Sequence, residues 1–188
     1  MPNLILIKHS LPEILPDRPA REWHLSDEGR RRCAKLAEAV APYQPQVVIT
    51  SLEPKAAETG QLLAAALHLP VASALNLHEH ERQHTPFLSP EMFEASILAF
   101  FAEPSQRVSG SESANESHER FSQAVWDVVE AHPNQNIAIT AHGTVISLFV
   151  SRLTNADPFL LWKRLSLPSF VVISLPEKQL INVENPST

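Results

Sequence analysis

Glycine and cysteine are both scarce in this chain, and their scarcity removes whole classes of function. Four glycines occur in 188 residues: Gly29, Gly60, Gly110 and Gly143. They stand too far apart to build a glycine-rich phosphate loop of the nucleoside-triphosphate or dinucleotide-binding type. The single cysteine, Cys33, excludes an intrachain disulfide, and its place in a helical apolar pattern predicts a buried packing role. No apolar run approaches the roughly 18 residues that a membrane span needs, so no membrane partner is expected. Basic residues have no excess, with 15 Lys and Arg against 21 Asp and Glu and a formal net charge of −6. That balance argues against nucleic acid as a partner, because phosphate backbones select basic faces. Met1-Pro2-Asn3-Leu4 carries no cationic segment of the kind that opens a secretory signal, and the expected location is cytoplasmic.

What is present reads as one ordinary folded domain over residues 1–188, with 44% hydrophobic and 19% charged residues. Leu4-Ile5-Leu6-Ile7 is a continuous apolar run, the mark of a strand buried on both faces, and it stops abruptly at Lys8-His9-Ser10. A proline-rich loop leads to Ser26, a predicted helix N-cap, with Asp27 and Glu28 in the first turn where the helix dipole favours anions. Val47-Val48-Ile49 predicts a second strand and Val71-Ala72 a third. Between them a helix is expected to begin near Glu53-Pro54. Residues 83–110 read as a small cap segment, a loop plus one helix carrying Phe87, Phe93, Phe100 and Phe101. Phe121, Ala124, Val125, Val128 and Val129 follow helical spacing, and Ile137-Ala138-Ile139 is a further buried strand ending at Thr140-Ala141-His142-Gly143. Residues 170–175 and 180–183 close the chain as strands.

Strands alternating with helices predict an α/β fold, a three-layer α/β/α sandwich with a mostly parallel central sheet. In such sheets ligands bind beyond the carboxyl ends of the strands. The residues found there are Lys8, His9 and Ser10 after the first strand and Ser51 with Lys55 after the second. His78, Glu79, His80 and Glu81 follow the third, and His142, Gly143 and Thr144 the fourth. Each alone is an ordinary loop or surface residue. Their convergence is what points to phosphoryl transfer. Cations and helix N-terminal N–H groups neutralise phosphate oxygens, a neutral imidazole attacks phosphorus, and a carboxylic acid protonates the departing alkoxide.

These blocks resemble the histidine phosphatase superfamily, the phosphoglycerate-mutase-like proteins. Leu4 to Ser10 is similar to an apolar strand followed by Arg-His-Gly, and Leu25-Ser26-Asp27-Glu28-Gly29 to a Leu-Ser/Thr-x-x-Gly helix start. Residues 51–59 resemble Ser-x-Leu-x-Arg-Ala-x-Gln-Thr, Leu77-His78-Glu79 resembles Leu-x-Glu, and Ala141-His142-Gly143 resembles Ser-His-Gly. Ser111-Glu112-Ser113, with Arg120 beyond it, is similar to Gly-Glu-Ser and its following arginine. The resemblance implies His9 as nucleophile, Glu79 as proton donor and His142 as a third catalytic group. Lys8, Lys55, His9, His142 and Ser10 would bind phosphate. It implies a small phosphorylated substrate and neither metal nor cofactor.

Both arginines of the pattern are lysines here, which keeps the charge and loses the bidentate fork. Glu58 stands at the glutamine of the pattern, an extra negative charge expected near Lys55, and Glu81 is an alternative acid to Glu79. Two other functions stay open: a pocket that binds a phosphorylated ligand without turnover, and a metal-dependent hydrolase using His78, His80 and His84 with Glu79 or Glu81. The motifs do not encode the oligomeric state.

Overall fold

The computed structural model describes residues 2–82, 87–175 and 177–186. Leu4, Ile5, Leu6 and Ile7 are wholly buried in β1 (Asn3–Lys8). Leu4 and Leu6 enter one apolar cluster and Ile5 and Ile7 another, so the strand is covered on both faces. Strand periodicity requires that alternation, and the unbroken apolar run is its consequence.

Around β1 the sheet takes the order β3-β2-β4-β1-β5-β6, with β2 (Val47–Thr50), β3 (Val71–Ser73), β4 (Ile137–Ala141), β5 (Ser169–Ser174) and β6 (Gln179–Glu184). β1 to β4 are mutually parallel. β5 returns antiparallel to β1, and β6 antiparallel to β5. On one face lie α1 (Asp27–Val40) and α2 (Pro54–Leu67), which contribute Leu36, Ala37, Val40, Leu63 and Ala64 to the cluster around Ile5 and Ile7. On the other lie α4 (Ala114–Ala131), α5 (Gly143–Thr154) and α6 (Pro158–Arg164), whose Phe121, Val125, Ile146, Phe149 and Leu161 pack around Leu4 and Leu6. The expected three layers are therefore present.

Local chemistry sets the helix starts. Ser26 Oγ accepts the Gly29 N–H at 3.0 Å, as the sequence predicts. Gly29 must be glycine for a different reason: a Cβ there would stand 2.0 Å from the Leu11 carbonyl oxygen, where the proline-rich loop crosses the helix. Cys33 is buried in α1, and burial raises its thiol pKa to about 11, in keeping with a packing role.

Of the expected cap segment, residues 83–86 lie outside the described part, and α3 (Pro90–Ala102) is its helix. Its phenylalanines divide between core and rim. Phe100 is fully buried against Ala114 and Leu148, while Phe93 leans edge-on against Trp162 of α6 at 5.8 Å. Phe87 stays 55% exposed, with Trp23 beside it.

Candidate active site

The carboxyl ends of β1, β2 and β4 lie side by side, and the ladder continues one residue past them. The His9 N–H donates to the Ala141 carbonyl at 3.0 Å and the Ser51 N–H to Thr140 at 2.9 Å. These bonds fix the backbone that carries His9, Ser51 and His142, so the imidazoles sit on the rigid part of the sheet. Their ring centroids are 5.3 Å apart, edge to face.

His9 Nδ1 lies 2.8 Å from its neighbour's carbonyl oxygen at Ser10. A carbonyl only accepts, so Nδ1 carries the hydrogen and Nε2 is left with its lone pair. Burial, then the neighbouring His142 and Lys55, hold the ring's pKa well below its ordinary value. The imidazole is therefore neutral across the physiological range, the form a nucleophile needs. His142 is wholly buried, and burial followed by Lys55 keeps its pKa low, against the pull of Glu79. Its Nε2 lies 3.0 Å from Ser51 Oγ, and its Nδ1 has no hydrogen-bond partner among the described residues. An orphaned, buried ring nitrogen beside a cationic pocket is suited to a phosphate oxygen.

The two lysines flank the histidines. Lys8 lays its stem along Gly143, where a Cβ would come 3.1 Å from Lys8 Cε, and donates from Nζ to the Leu165 carbonyl at 2.7 Å. Burial brings its pKa down from 10.5 to about 8, opposed by Glu79. Lys55 is buried and donates to the Ala20 carbonyl at 2.7 Å and to Glu53 Oε2 at 2.5 Å. Ser10, expected among the phosphate donors, is turned into the framework. Its hydroxyl donates to the Gly29 carbonyl at 2.7 Å and its N–H to Thr59 Oγ1 at 3.0 Å, and no part of it is exposed.

Glu79 faces the first turn of α5. Its carboxylate accepts the Thr144 N–H at 3.2 Å and the Val145 N–H at 3.3 Å, where the helix dipole favours an anion. Burial works to raise its pKa, but His142, Arg82 and the His80 N–H outweigh that and leave it below the usual value. Glu81 is occupied elsewhere: one carboxylate oxygen accepts the Ser111 hydroxyl at 2.8 Å and the other lies 3.2 Å from His78 Nε2.

Glu53 and Arg82 went unread in the sequence, and Arg120 was marked there without a role. Glu53, at the leucine register of its motif, projects its carboxylate into the pocket. Glu58, expected near Lys55, instead pairs with Arg30 at 3.0 Å and with His24 on the outside of α1 and α2. Glu53 precedes α2 in extended backbone while Glu58 lies within the helix, and the charge beside Lys55 belongs to Glu53. Arg82 stacks its guanidinium 4.6 Å above the Phe93 ring, near enough for Glu79 and Glu53 to act on its charge. Among the described residues it finds no hydrogen-bond acceptor. Arg120 binds both oxygens of Glu112 at 3.1 and 2.6 Å and reaches the carbonyls of Asn76, His78 and Glu79 at 2.9, 3.0 and 3.3 Å. It thereby ties the Glu79 segment to α4. Only the motif block containing Arg120 signalled it, without a role.

The histidines considered for a metal do not converge. His80 is stacked on Phe100 at 3.9 Å with its Nε2 3.1 Å from the Glu112 carbonyl, while His78 pairs with Glu81. His84 lies outside the described residues. Among the described residues no group of three or more His, Cys, Asp or Glu side chains is arranged to hold an ion.

The chain is similar to known proteins in fold and in sequence. The fold is similar to that of a phosphoserine phosphatase from Entamoeba histolytica in complex with 3-phosphoglyceric acid, 17% identical, with a TM-score of 0.78 over 98% of each chain. It is also similar to a mycobacterial glucosyl-3-phosphoglycerate phosphatase complexed with VO3, 20% identical, with a TM-score of 0.75 over 93% of each chain. In sequence the chain is 23% identical over 154 residues to the uncharacterized phosphatase PhoE of Bacillus subtilis (strain 168), covering 75% of this chain and 70% of that protein. Residues 16–183 match the histidine phosphatase superfamily (branch 1), a span that begins past His9 and takes in Lys55, Glu79 and His142. The match runs over most of the sheet and all the helices, and the chain belongs to the histidine phosphatase superfamily.

Proposed function

We propose that this protein hydrolyses small phosphomonoesters through a phosphohistidine on His9. The observation that carries the reading is the Nδ1–Ser10 hydrogen bond of 2.8 Å, which leaves Nε2 as a lone pair inside a cationic, buried pocket. Nε2 attacks phosphorus as the ester P–O bond breaks, with Lys8, Lys55 and His142 around the phosphoryl oxygens. Glu79 delivers a proton to the leaving alkoxide. It is a carboxylate in the free protein, and a substrate monoanion, whose second pKa lies near ~6, brings the proton with it. In the second half Glu79 takes a proton from water as water's oxygen attacks phosphorus, the P–N bond breaks, and phosphate leaves.

On the leaving-group side, Arg82 offers a planar fork backed by Phe93, suited to a carboxylate on the alcohol part of the substrate. The E. histolytica relative, solved with 3-phosphoglyceric acid, supports a phosphorylated acid as the substrate class. No helix among the described residues is long and apolar enough to cross a membrane. We place the protein in the cytoplasm, where such phosphorylated acids occur.

A second reading, phosphate binding without turnover, is favoured by one feature: both pocket lysines already hold carbonyl or carboxylate oxygens. One experiment separates the two. Hydrolysis of an aryl phosphate and of 3-phosphoglycerate is followed from about pH 5 to about pH 8, with wild type beside His9→Ala. Turnover in the wild type that disappears in the variant, with faster cleavage of the carboxylate-bearing ester, is the expected result. Activity retained by His9→Ala would remove the nucleophile. Phosphate binding with no turnover in either protein establishes the second reading.

A further inference from the structure

Glu53 sits between the end of β2 and the first turn of α2, with its side chain only 11% exposed. Its two oxygens go to different parts of the site. Oε2 lies 2.5 Å from Lys55 Nζ. Oε1 accepts the Glu79 N–H at 2.9 Å and stands 3.7 Å from His142 Nε2. One carboxylate thus touches a pocket cation, the backbone bearing the acid, and the second histidine. Helix α2 does not explain it, because Pro54 opens that helix and Glu53 makes no side-chain cap to it.

We propose that Glu53 is a positioning residue for phosphoryl transfer, holding Lys55 at the phosphate and Glu79 at the leaving group while its charge weakens the grip on product phosphate. The inference rests on reading the site as a phosphatase pocket. Two of the three Lys55 donors are taken, by Glu53 and by Ala20, so phosphate meets an ammonium that is fixed in place and partly neutralised. The same carboxylate opposes the phosphate charge directly, which favours release after hydrolysis. It also acts on the acid. Glu79 is faced by Thr144 and Val145 of α5, by His142 beyond β4, by Lys8 of β1, and by His80 and Arg82 of its own segment. Glu53 is the anion in that set, and it favours the protonated acid that donation requires.

Glu53→Gln tests this on the full chain, since the amide keeps an oxygen for the Glu79 N–H and loses the charge. Inorganic phosphate is the probe, titrated by calorimetry into wild type, Glu53→Gln, Lys55→Met and the double variant. Glu53→Gln is expected to bind phosphate at least about tenfold more tightly, with most of that gain gone once Lys55 is Met. The acidic limb of its kcat/KM–pH profile, set by Glu79 in the free protein, is expected to move to lower pH. Equal phosphate affinity in wild type and Glu53→Gln would overturn the proposal, as would a gain that persists in full without Lys55. An unmoved acidic limb would overturn the part concerning the acid. Should Glu53→Gln fail to fold, Glu53→Asp keeps the charge on a shorter arm. It is expected to slow turnover with phosphate affinity near wild type, and tighter binding in it overturns the proposal. A wild type that binds phosphate but never turns over ends the phosphatase reading and leaves the binding comparison in force. A wild type that binds no phosphate ends both.

Discussion

Lys8 shows how burial changes what a single residue can do. Its pKa of about 8, against an ordinary 10.5, means the folded protein gives up that proton before the unfolded chain does. Between those two values the unfolded state binds more protons, so Lys8 makes the protein more stable as pH rises through that window. Phosphate affinity runs the other way, because the charge that attracts phosphate is lost above about pH 8. Phosphate inhibition should therefore weaken by up to about tenfold per pH unit above that point, while Lys8→Arg holds its affinity to higher pH. A parallel loss in both proteins would place the titrating group elsewhere. Charged residues were the least legible part of the sequence for the same reason. His9, Lys8, Lys55, Glu79 and His142 announced themselves by following strands. Glu53 and Arg82 entered the pocket through a turn and a stacking contact that no local pattern encodes, and Glu58 has the right spacing but the wrong face of α2.

Elements were read more easily than residues, because burial on both faces leaves an unbroken apolar run and burial on one face leaves a period. β1, β2, β4 and the helix at Phe121 follow those rules directly. The antiparallel return of β5 and β6 was not legible, since a strand's direction depends on its connection and not on its composition. The start of α4 was written in a capping box: Ser113 Oγ accepts the Glu116 N–H at 3.3 Å and Glu116 Oε2 accepts the Ser113 N–H at 2.7 Å. Ser113→Ala is expected to cost about 1 kcal/mol and lower the melting temperature by roughly 2–4 °C, with turnover at room temperature retained. An unchanged melting temperature would show that the Arg107–Glu116 ion pair, at 2.6 Å, holds the helix start by itself.

At the scale of the whole molecule, the Glu79 segment is held by α4, on the face of the sheet where Leu77 packs with α4 and α5. Arg120 of α4 grips Glu112 and the carbonyls of Asn76, His78 and Glu79, so on the proposed function the leaving-group side of the pocket is positioned by this helix. Arg120→Lys keeps the charge and loses the fork. Turnover is expected to fall roughly tenfold while phosphate affinity stays near wild type, since the phosphate side rests on β1, β2 and β4. Loss of phosphate affinity as well would mean that the two halves of the pocket are not mechanically separate.

The central strand has a further consequence for how the protein comes into being. β1 pairs Leu4 with Ile137 on one side and with Ile173 on the other, so this strand waits for segments far downstream before it has either neighbour. Contacts of such long range close slowly, and a nascent chain carries His9 before His142 can stand beside it. On the proposed function, competence for phosphate therefore arrives when β4 and β5 dock. An anion that binds only the finished form then draws the last of the chain into place.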